Sequence, residues 1–366
     1  MKICFLAAAN SIHSVRWIKY FYDKGHEVAW VSLAPSIPEA EELIEKVKYF
    51  EIKPSPLSDI NGPFAIRYLP SAVRQLKKIL KTEKLDVMHI HSAGTYGLVG
   101  VLTGFHPAVL TPWGSDILIA SSLKKSLIKF ILGRIDLFTC DGKNTTEVLI
   151  KFGVKPEKIK MIRFGTDVEK FKPASKSKVQ SAKFKVISLR SLEAIYDIET
   201  LIKAAAIVVK EFRNVEFLIA GDGSQKEYLM GLTENLKLKT ENIKFLGRIN
   251  NQDLPVLLQS ADIYISTALS DSGLSASTAE AMATGLPVIV SDFGDNKKWV
   301  NPPAGGFVIP LKNPEALAEK IIYLIKNENE RRKMGENNRK LIEQKNNYHK
   351  EMEKVEKIYE ELTDSN

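Results

Sequence analysis

Short apolar runs alternate with longer segments of helical periodicity along most of the chain. The runs are of the parallel-strand type, because strands that are buried on both faces are apolar throughout. The helical segments repeat apolar residues on one face, as Leu69, Val73, Leu76 and Leu80 do within 67–81. Strands that alternate with helices in this way predict a doubly wound α/β fold with parallel sheets.

The predicted elements form two successive α/β sets. Phe164-Gly165-Thr166-Asp167 leads through Pro173 into a Lys/Ser-rich segment, 174–183, whose composition is typical of a linker. We expect one domain over 1–170, a second over 171–342, and an amphipathic last helix over about 343–362. The predicted strands are 2–8, 27–33, 47–52, 86–91, 109–112, 135–140, 160–162, 185–189, 215–220, 243–246, 263–267, 288–291 and 307–309.

Residues 260–296 read as one strand–loop–helix–strand unit. The helix is predicted to begin near Ser275–Ser277 and to end at Gly285, and Glu280 lies within it. A helix that begins at the carboxyl end of a parallel strand presents unpaired amides and the positive end of its dipole, which favours a phosphate. The segment 277–280, Ser-Thr-Ala-Glu, is also a capping-box pattern, in which Glu280 would only satisfy the start of the helix.

Composition narrows the class of protein. The chain has 366 residues, of which 44% are hydrophobic, and this suits a globular protein of two domains. A formal charge of +8 favours anionic partners, or else reflects a lysine-rich solvated surface. Cys4 and Cys140 lie in apolar strands and are expected to be reduced. No signal peptide, spanning segment or metal-ligand spacing is evident, so we expect a cytoplasmic protein.

Segment 280–288, Glu-Ala-Met-Ala-Thr-Gly-Leu-Pro-Val, resembles the donor-binding core of the retaining glycosyltransferases of family 4, or glycosyl transferases group 1. Four further pieces agree with that family in order: the Phe164–Pro173 linker, and segments 219–223, 245–248 and 260–262. The resemblance implies the GT-B architecture, in which two Rossmann-like doubly wound domains face a central cleft. It also implies that the last helix, about 343–366, packs back on the first domain.

The resemblance assigns candidate donor residues in the second domain. Arg190 would contact the diphosphate, and Glu280 the ribose hydroxyls. The chain departs from the family at Ser272, where a first Glu is usual, so Asp271 becomes the candidate for the sugar hydroxyls. Tyr196 stands where a Lys is usual. The remaining donor-side candidates are Gly221, Gly223, Arg248 and the backbone amides of Gly273, Leu274, Ser275 and Ala276.

The first domain offers candidates for the acceptor side. Trp113 stands where many relatives have a His that contacts the reacting sugar, and Asp116 follows it after a turn. His91 ends a predicted strand, although a core role is an equal alternative for it and for His89. His13 is a cleft candidate, with a helix-capping or packing role near Trp17 as an equal alternative. Asn10 and Ser11 complete the set.

These residues predict a retaining glycosyltransferase that moves a hexosyl unit from a nucleotide diphosphate sugar of the UDP or GDP type to an acceptor hydroxyl. No Asp-x-Asp is present, so we expect neither an essential metal nor another cofactor. The acceptor would be a carbohydrate or a lipid-linked glycan, with peripheral association at the inner membrane face as an option and no nucleic-acid partner. The alternatives are a non-catalytic binding relative and a nucleotide-sugar 2-epimerase.

Overall fold

The computed structural model describes residues 1–53, 68–113, 115–118, 122–174, 183–270 and 273–364. The chain forms two compact units. Unit 1 comprises Met1–Arg163 and Glu351–Asn366, and unit 2 comprises Phe164–Lys350. Unit 2 is therefore inserted in the sequence of unit 1.

Unit 1 is built on a parallel sheet with the order β3-β2-β1-β4-β5-β6-β7. The order reverses between β1 and β4, and ligands of doubly wound sheets bind at the carboxyl ends of the strands beside such a point. The strands are β1 Lys2–Leu6, β2 Glu27–Ser32, β3 Lys48–Glu51, β4 Val87–His91, β5 Ala108–Thr111, β6 Leu137–Cys140 and β7 Ile159–Met161. The helices are α1 Ile12–Asp23, α2 Pro38–Ile44, α3 Leu69–Glu83, α4 Thr95–Val101, α5 Ser115–Leu118, α6 Ser122–Leu132 and α7 Lys143–Lys151.

Unit 2 repeats this arrangement with the order β10-β9-β8-β11-β12-β13, all parallel, and reverses between β8 and β11. Its strands are β8 Phe184–Ser188, β9 Val215–Ala220, β10 Ile243–Gly247, β11 Ile263–Ser266, β12 Val288–Ser291 and β13 Gly306–Ile309. Its helices are α8 Ile198–Glu211, α9 Lys226–Asn235, α10 Leu254–Ser260, α11 Ala276–Ala283, α12 Asn296–Val300, α13 Pro314–Lys326 and α14 Glu328–Lys345.

Both faces of the unit 2 sheet are buried, which explains why its strands are apolar throughout. Neighbouring residues of β8 belong to different cores: Val186 packs with α8 and α13 residues such as Leu201 and Ile321, and Ile187 packs with Met282 of α11. Helices on both faces of a parallel sheet confirm the doubly wound fold predicted from the hydrophobic pattern. Every predicted strand is present, with ends that differ by at most two residues.

The last helix, α15, runs over Tyr348–Asp364, so its predicted start near residue 343 is wrong. The amphipathic pattern continues through residues 343–347, but residues 343–345 still belong to α14, and the backbone that follows pairs with Thr166 instead of continuing that helix. Thr166 N donates to Asn346 O at 2.6 Å, and Tyr348 N donates to Thr166 O at 3.0 Å. The side chain of Asn347 then accepts from His349 N at 3.0 Å and caps the new helix.

From Glu351 onward, α15 packs within unit 1. Glu356 pairs with His26 at 2.7 Å, and the Tyr359 hydroxyl bonds to Nδ1 of His89 in the middle of β4. Within the described ranges, no helix is both long and apolar enough to cross a membrane. Cys4 and Cys140 are buried free thiols, as expected.

Candidate functional site

Arg190 follows β8 at the carboxyl edge of the unit 2 sheet, and it is only 7% exposed. Its guanidinium carbon lies 4.3 Å from the centroid of the Tyr196 ring, which is a cation–π contact. Its Nη1 donates to Oγ of Ser277 at 3.3 Å, and Ser277 stands in the first turn of α11. The predicted diphosphate-binding cation is therefore held beside the helix start that was predicted to attract a phosphate.

The glycines after β9 allow the backbone to pack closely at this edge. A Cβ atom on Gly223 would lie 2.6 Å from the carbonyl group of Leu192, closer than real Cβ atoms come. Gly221 has a φ of +153° and donates its N–H to Gly247 O at 2.8 Å. The ends of β8, β9 and β10 are thus joined through backbone that only glycine accommodates.

Helix α11 starts at Ala276, with Ser275 as its N-cap, and ends before Gly285, whose φ of +82° is that of a helix-terminating glycine. The Ser275 side chain makes no capping bond to a backbone amide, and its Oγ is paired instead with Oγ1 of Thr278 at 2.7 Å. The first-turn amides therefore have no side-chain cap from this residue, and Ser277 of the same turn contacts Arg190.

The capping-box alternative for Glu280 is wrong, because Ser277 lies inside the helix rather than at its N-cap. Glu280 is half-buried in the second turn of α11. Gly273, with a φ of +62°, and half-buried Leu274 lead into the helix. Arg248 is exposed just after β10. Asp271 and its neighbour Ser272 lie outside the described residues.

The carboxyl edge of the unit 1 sheet carries the other candidates. Ser11 is the N-cap of α1, which begins directly after the turn that follows β1, and Asn10 is exposed in that turn. None of residues 8–13, all of them described, has a positive φ, so the absence of glycine there causes no strain.

An aromatic cluster at the same edge contains three predicted residues. The ring of His13 stacks on Trp113 with centroids 5.6 Å apart and an interplanar angle of 29°. The ring of His91 meets Trp113 edge-on at 5.2 Å. Trp17 contacts both His91 and Trp113, at 5.3 and 6.4 Å. The packing partner of His13 is therefore Trp113, which in turn contacts the expected neighbour Trp17.

Asp116 ties two strand-end loops together. Its two carboxylate oxygens accept the backbone N–H groups of Ala93, at 2.7 Å, and Trp113, at 3.0 Å. The loop after β4 and the loop after β5 are thereby held to the first turn of α5. The residue fixes the position of the Trp113 backbone, and its predicted contact with a sugar stays a prediction.

Both histidines of β4 are buried and neutral. His89 bonds to Oγ1 of Thr111 at 2.6 Å and to the hydroxyl of Tyr359. It therefore has the core role that was one of its two predicted alternatives. His91 lies 3.4 Å from Oγ of Ser14 through Nδ1, and its Nε2 has no partner among the described residues. Desolvation, and then the charge of His13, lower the pKa of His91 to about 3. Desolvation lowers the pKa of His89 well below its usual value.

Sequence reasoning missed the pair formed by Ser277 and Tyr264. The hydroxyl of fully buried Tyr264, on β11, donates to Oγ of Ser277 at 2.8 Å. Only the chain fold brings β11, α11 and Arg190 together, and a serine in the first turn of a helix gave no signal of this contact. In the part of the chain that the structure describes, no group of three or more His, Cys, Asp or Glu side chains is placed to hold a metal.

Two successive doubly wound units with parallel sheets form the GT-B architecture. The family model for glycosyl transferase 4-like proteins matches residues 2–142, and the model for glycosyl transferases group 1 matches residues 169–341. The chain belongs to the glycosyl transferases of group 1.

Characterised and uncharacterised relatives agree with this assignment. The chain is 27% identical over 243 residues to an uncharacterized glycosyltransferase of Methanocaldococcus jannaschii, a match that covers 65% of this chain and 62% of that relative. It is 26% identical over 351 residues to the UDP-Gal:alpha-D-GlcNAc-diphosphoundecaprenol alpha-1,3-galactosyltransferase of Escherichia coli, a match that covers 81% of this chain and 87% of the relative.

Solved structures share the fold over nearly the whole chain. The sucrose-phosphate synthase of Thermosynechococcus elongatus superposes with a TM-score of 0.83 at 19% identity, and all of both chains is covered. The HepE protein of Anabaena in complex with UDP superposes with a TM-score of 0.80 at 20% identity, over 99% of this chain and 100% of that one.

Proposed function

We propose that this glycosyltransferase moves a hexosyl unit from a nucleotide diphosphate sugar to an acceptor hydroxyl with retention at the anomeric carbon. The observation that carries the proposal is the placement of Arg190 against the first turn of α11. A guanidinium and a set of helix amides at one edge of a parallel sheet suit a diphosphate, because both favour negative charge. A relative named for UDP-Gal and a structural neighbour in complex with UDP support a donor of this type.

Arg190 and α11 act on the leaving group. As the bond from the sugar to the diphosphate breaks, negative charge grows on the diphosphate oxygens, and a fixed guanidinium stabilises it without reorganisation. The acceptor attacks from the face that the diphosphate leaves, and the departing diphosphate takes the acceptor proton. This course needs no nucleophile from the protein, and catalysis rests on positioning and charge. Glu280 accepts hydrogen bonds from the ribose hydroxyls, and Asp271 accepts hydrogen bonds from the hydroxyls of the transferred sugar.

The acceptor is a carbohydrate or a lipid-linked glycan. The E. coli relative is named for a diphosphoundecaprenol acceptor, and a chain with a formal charge of +8 suits such an anionic molecule. Helix α6 presents Lys125, Leu127 and Lys129 as exposed residues, a combination of charge and apolar surface that suits contact with an anionic membrane. We propose a cytoplasmic protein that binds peripherally at the inner membrane face.

A non-catalytic binding relative is the second candidate. The observation that favours it is that Tyr196, which supplies no charge, faces Arg190 where the family usually places a Lys. Such a protein would be stabilised by nucleotide sugars and would turn none of them over with any acceptor. Epimerase activity has no structural observation in its favour.

The test measures release of nucleoside diphosphate from a panel of UDP- and GDP-sugars, with and without acceptors, together with thermal unfolding. Arg190→Ala should lower the rate by about 100-fold or more, the scale of losing one preorganised charge stabiliser, and should change the unfolding midpoint much less. Arg332→Ala is the matched control, because the side chain of that arginine is 74% exposed and pairs with Glu328 of the same helix, α14. Equal losses of rate and stability would make Arg190 structural, and nucleotide binding without any release would favour the second candidate.

A further inference from the structure

The hydroxyl of Ser277 accepts two hydrogen bonds, and its proton is donated to none of the described residues. A serine oxygen offers two acceptor lone pairs and one proton. Nη1 of Arg190 donates to Ser277 Oγ at 3.3 Å, and the hydroxyl of Tyr264 donates to it at 2.8 Å. Both lone pairs are therefore in use, and no described residue accepts the proton of Ser277.

The surroundings determine which ligand can take that proton. The Arg190 guanidinium is adjacent, and Ser277 itself stands in the first turn of α11, where the backbone amides carry partial positive charge. An acceptor at this point is therefore favoured when it is anionic. Tyr264 is fully buried on β11, so the direction of its bond, and with it the remaining direction for the Ser277 proton, is fixed by the sheet.

We propose that Ser277 is a further donor-binding residue whose hydroxyl donates to a diphosphate oxygen of the nucleotide sugar, and that Tyr264 is its positioning residue. The inference rests on the proposed function and adds a neutral donor beside Arg190. Tyr196 contributes a ring face and no charge to Arg190, so Ser277 supplies a proton donor that this neighbour does not.

The same geometry makes a competing role for Ser277 testable. The serine could serve only to hold the guanidinium, whose face rests on Tyr196 and whose edge rests on Ser277. In that case, removing the Ser277 hydroxyl would weaken nucleotide binding only by displacing Arg190. A double-mutant cycle separates the two roles, because residues that act through one another show non-additive effects.

The experiment measures binding of UDP and GDP, and of uridine and guanosine, by calorimetry on the full chain. Ser277→Ala should weaken binding of the preferred nucleoside diphosphate by about tenfold or more, as expected for a lost hydrogen bond to a charged group. It should leave binding of the matching nucleoside unchanged. Ser277→Thr keeps the hydroxyl and should restore most of the affinity. Tyr264→Phe should give a smaller loss. Ser260→Ala removes a half-buried hydroxyl that donates to Leu257 O on α10; it is the control and should leave both affinities unchanged.

The decisive comparison is made in the Arg190→Ala background. If Ser277 contacts the phosphates, Ser277→Ala still weakens binding of the nucleoside diphosphate in this background. If the effect disappears, the inference is overturned and Ser277 only positions Arg190. An unchanged ratio of diphosphate to nucleoside affinity in Ser277→Ala overturns it as well. A wild-type protein that binds neither UDP nor GDP removes the proposed function and this inference together.

Discussion

A Cβ atom on Gly221 would lie 3.0 Å from the carbonyl carbon of Arg190, and closer still to its oxygen. The turn after β9 thus passes against the backbone of Arg190, the residue whose charge we propose to bind the phosphates. No other amino acid fits there, because the φ of +153° is also unfavourable for a side chain.

Gly221→Ala should therefore lower the free energy of unfolding by about 1–3 kcal/mol through backbone strain. It should also displace Arg190, so donor turnover should fall even under conditions in which the variant remains folded. Unfolding by denaturant and nucleoside diphosphate release measure the two effects. Gly231→Ala in α9 is the matched control: nothing lies within 4 Å of its added Cβ, and alanine in a helix should stabilise by about 0.5–1 kcal/mol. A Gly221→Ala protein with normal turnover would contradict the close approach.

Replacing Glu280 tests the ribose contact. Glu280 lies in the second turn of α11, and Glu280→Gln keeps the size of the side chain and its acceptor oxygen. The substitution should therefore change stability little and weaken nucleoside diphosphate binding by about tenfold, the scale of one charge-assisted hydrogen bond. The measurement compares UDP and GDP affinity with the denaturant midpoint. Glu234→Gln, at an exposed position in α9, provides the control. A large loss of stability with unchanged affinity would assign Glu280 to the fold.

Asp116→Asn should destabilise unit 1 by about 1–3 kcal/mol, because one of two backbone N–H groups would face an amide donor in place of a carboxylate oxygen. Trp113 should become more mobile as its backbone is released, which a change in tryptophan fluorescence would report. Asp23→Asn removes only an exposed pair with Lys19 and should cost far less. Equal effects of the two substitutions would count against the bridging role.

The buried histidines make unit 1 sensitive to acid. The folded-state pKa of His91, about 3, lies below the unfolded value near 6.5, so the unfolded chain binds more protons between these values. The stability contribution is complete above pH 6.5 and is lost as the pH falls towards 3. His91→Phe should remove up to about 1.4 kcal/mol per pH unit from the acid slope of unfolding.

Tryptophan fluorescence is a suitable probe for this slope, because Trp17, Trp30 and Trp113 belong to unit 1 and only Trp299 to unit 2. His349→Gln, at an exposed position in unit 2, should leave the slope unchanged. An acid slope that His91→Phe does not alter would show that folding does not lower the pKa of His91.

The hydrophobic pattern predicted the strands well because each is buried on both faces, which leaves an unbroken apolar run. Signals that depend on local backbone were weaker. The Ser-x-x-Glu pattern at 277–280 suggested a cap, but the helix starts at Ala276, and the amphipathic pattern hid the break at Asn346 and Asn347.

Contacts between distant residues could not be predicted at all. Ser277 and Arg190 are 87 positions apart, and the two backbone amides that Asp116 binds come from loops after different strands. The family resemblance identified Arg190 and Glu280 as candidates, but only the folded sheet shows that Tyr264 and Ser277 reach the same place. Such partners depend on strand order and helix placement, which no short segment encodes.

The insertion of unit 2 within the sequence of unit 1 has a consequence for biosynthesis. On the ribosome, all of Phe164–Lys350 is made before the segment that supplies Tyr359 to His89 and Glu356 to His26. Unit 2 is continuous and can complete its fold while its neighbour still waits for its final helix. His89 and His26 therefore gain these partners only after the whole of unit 2 has been synthesised.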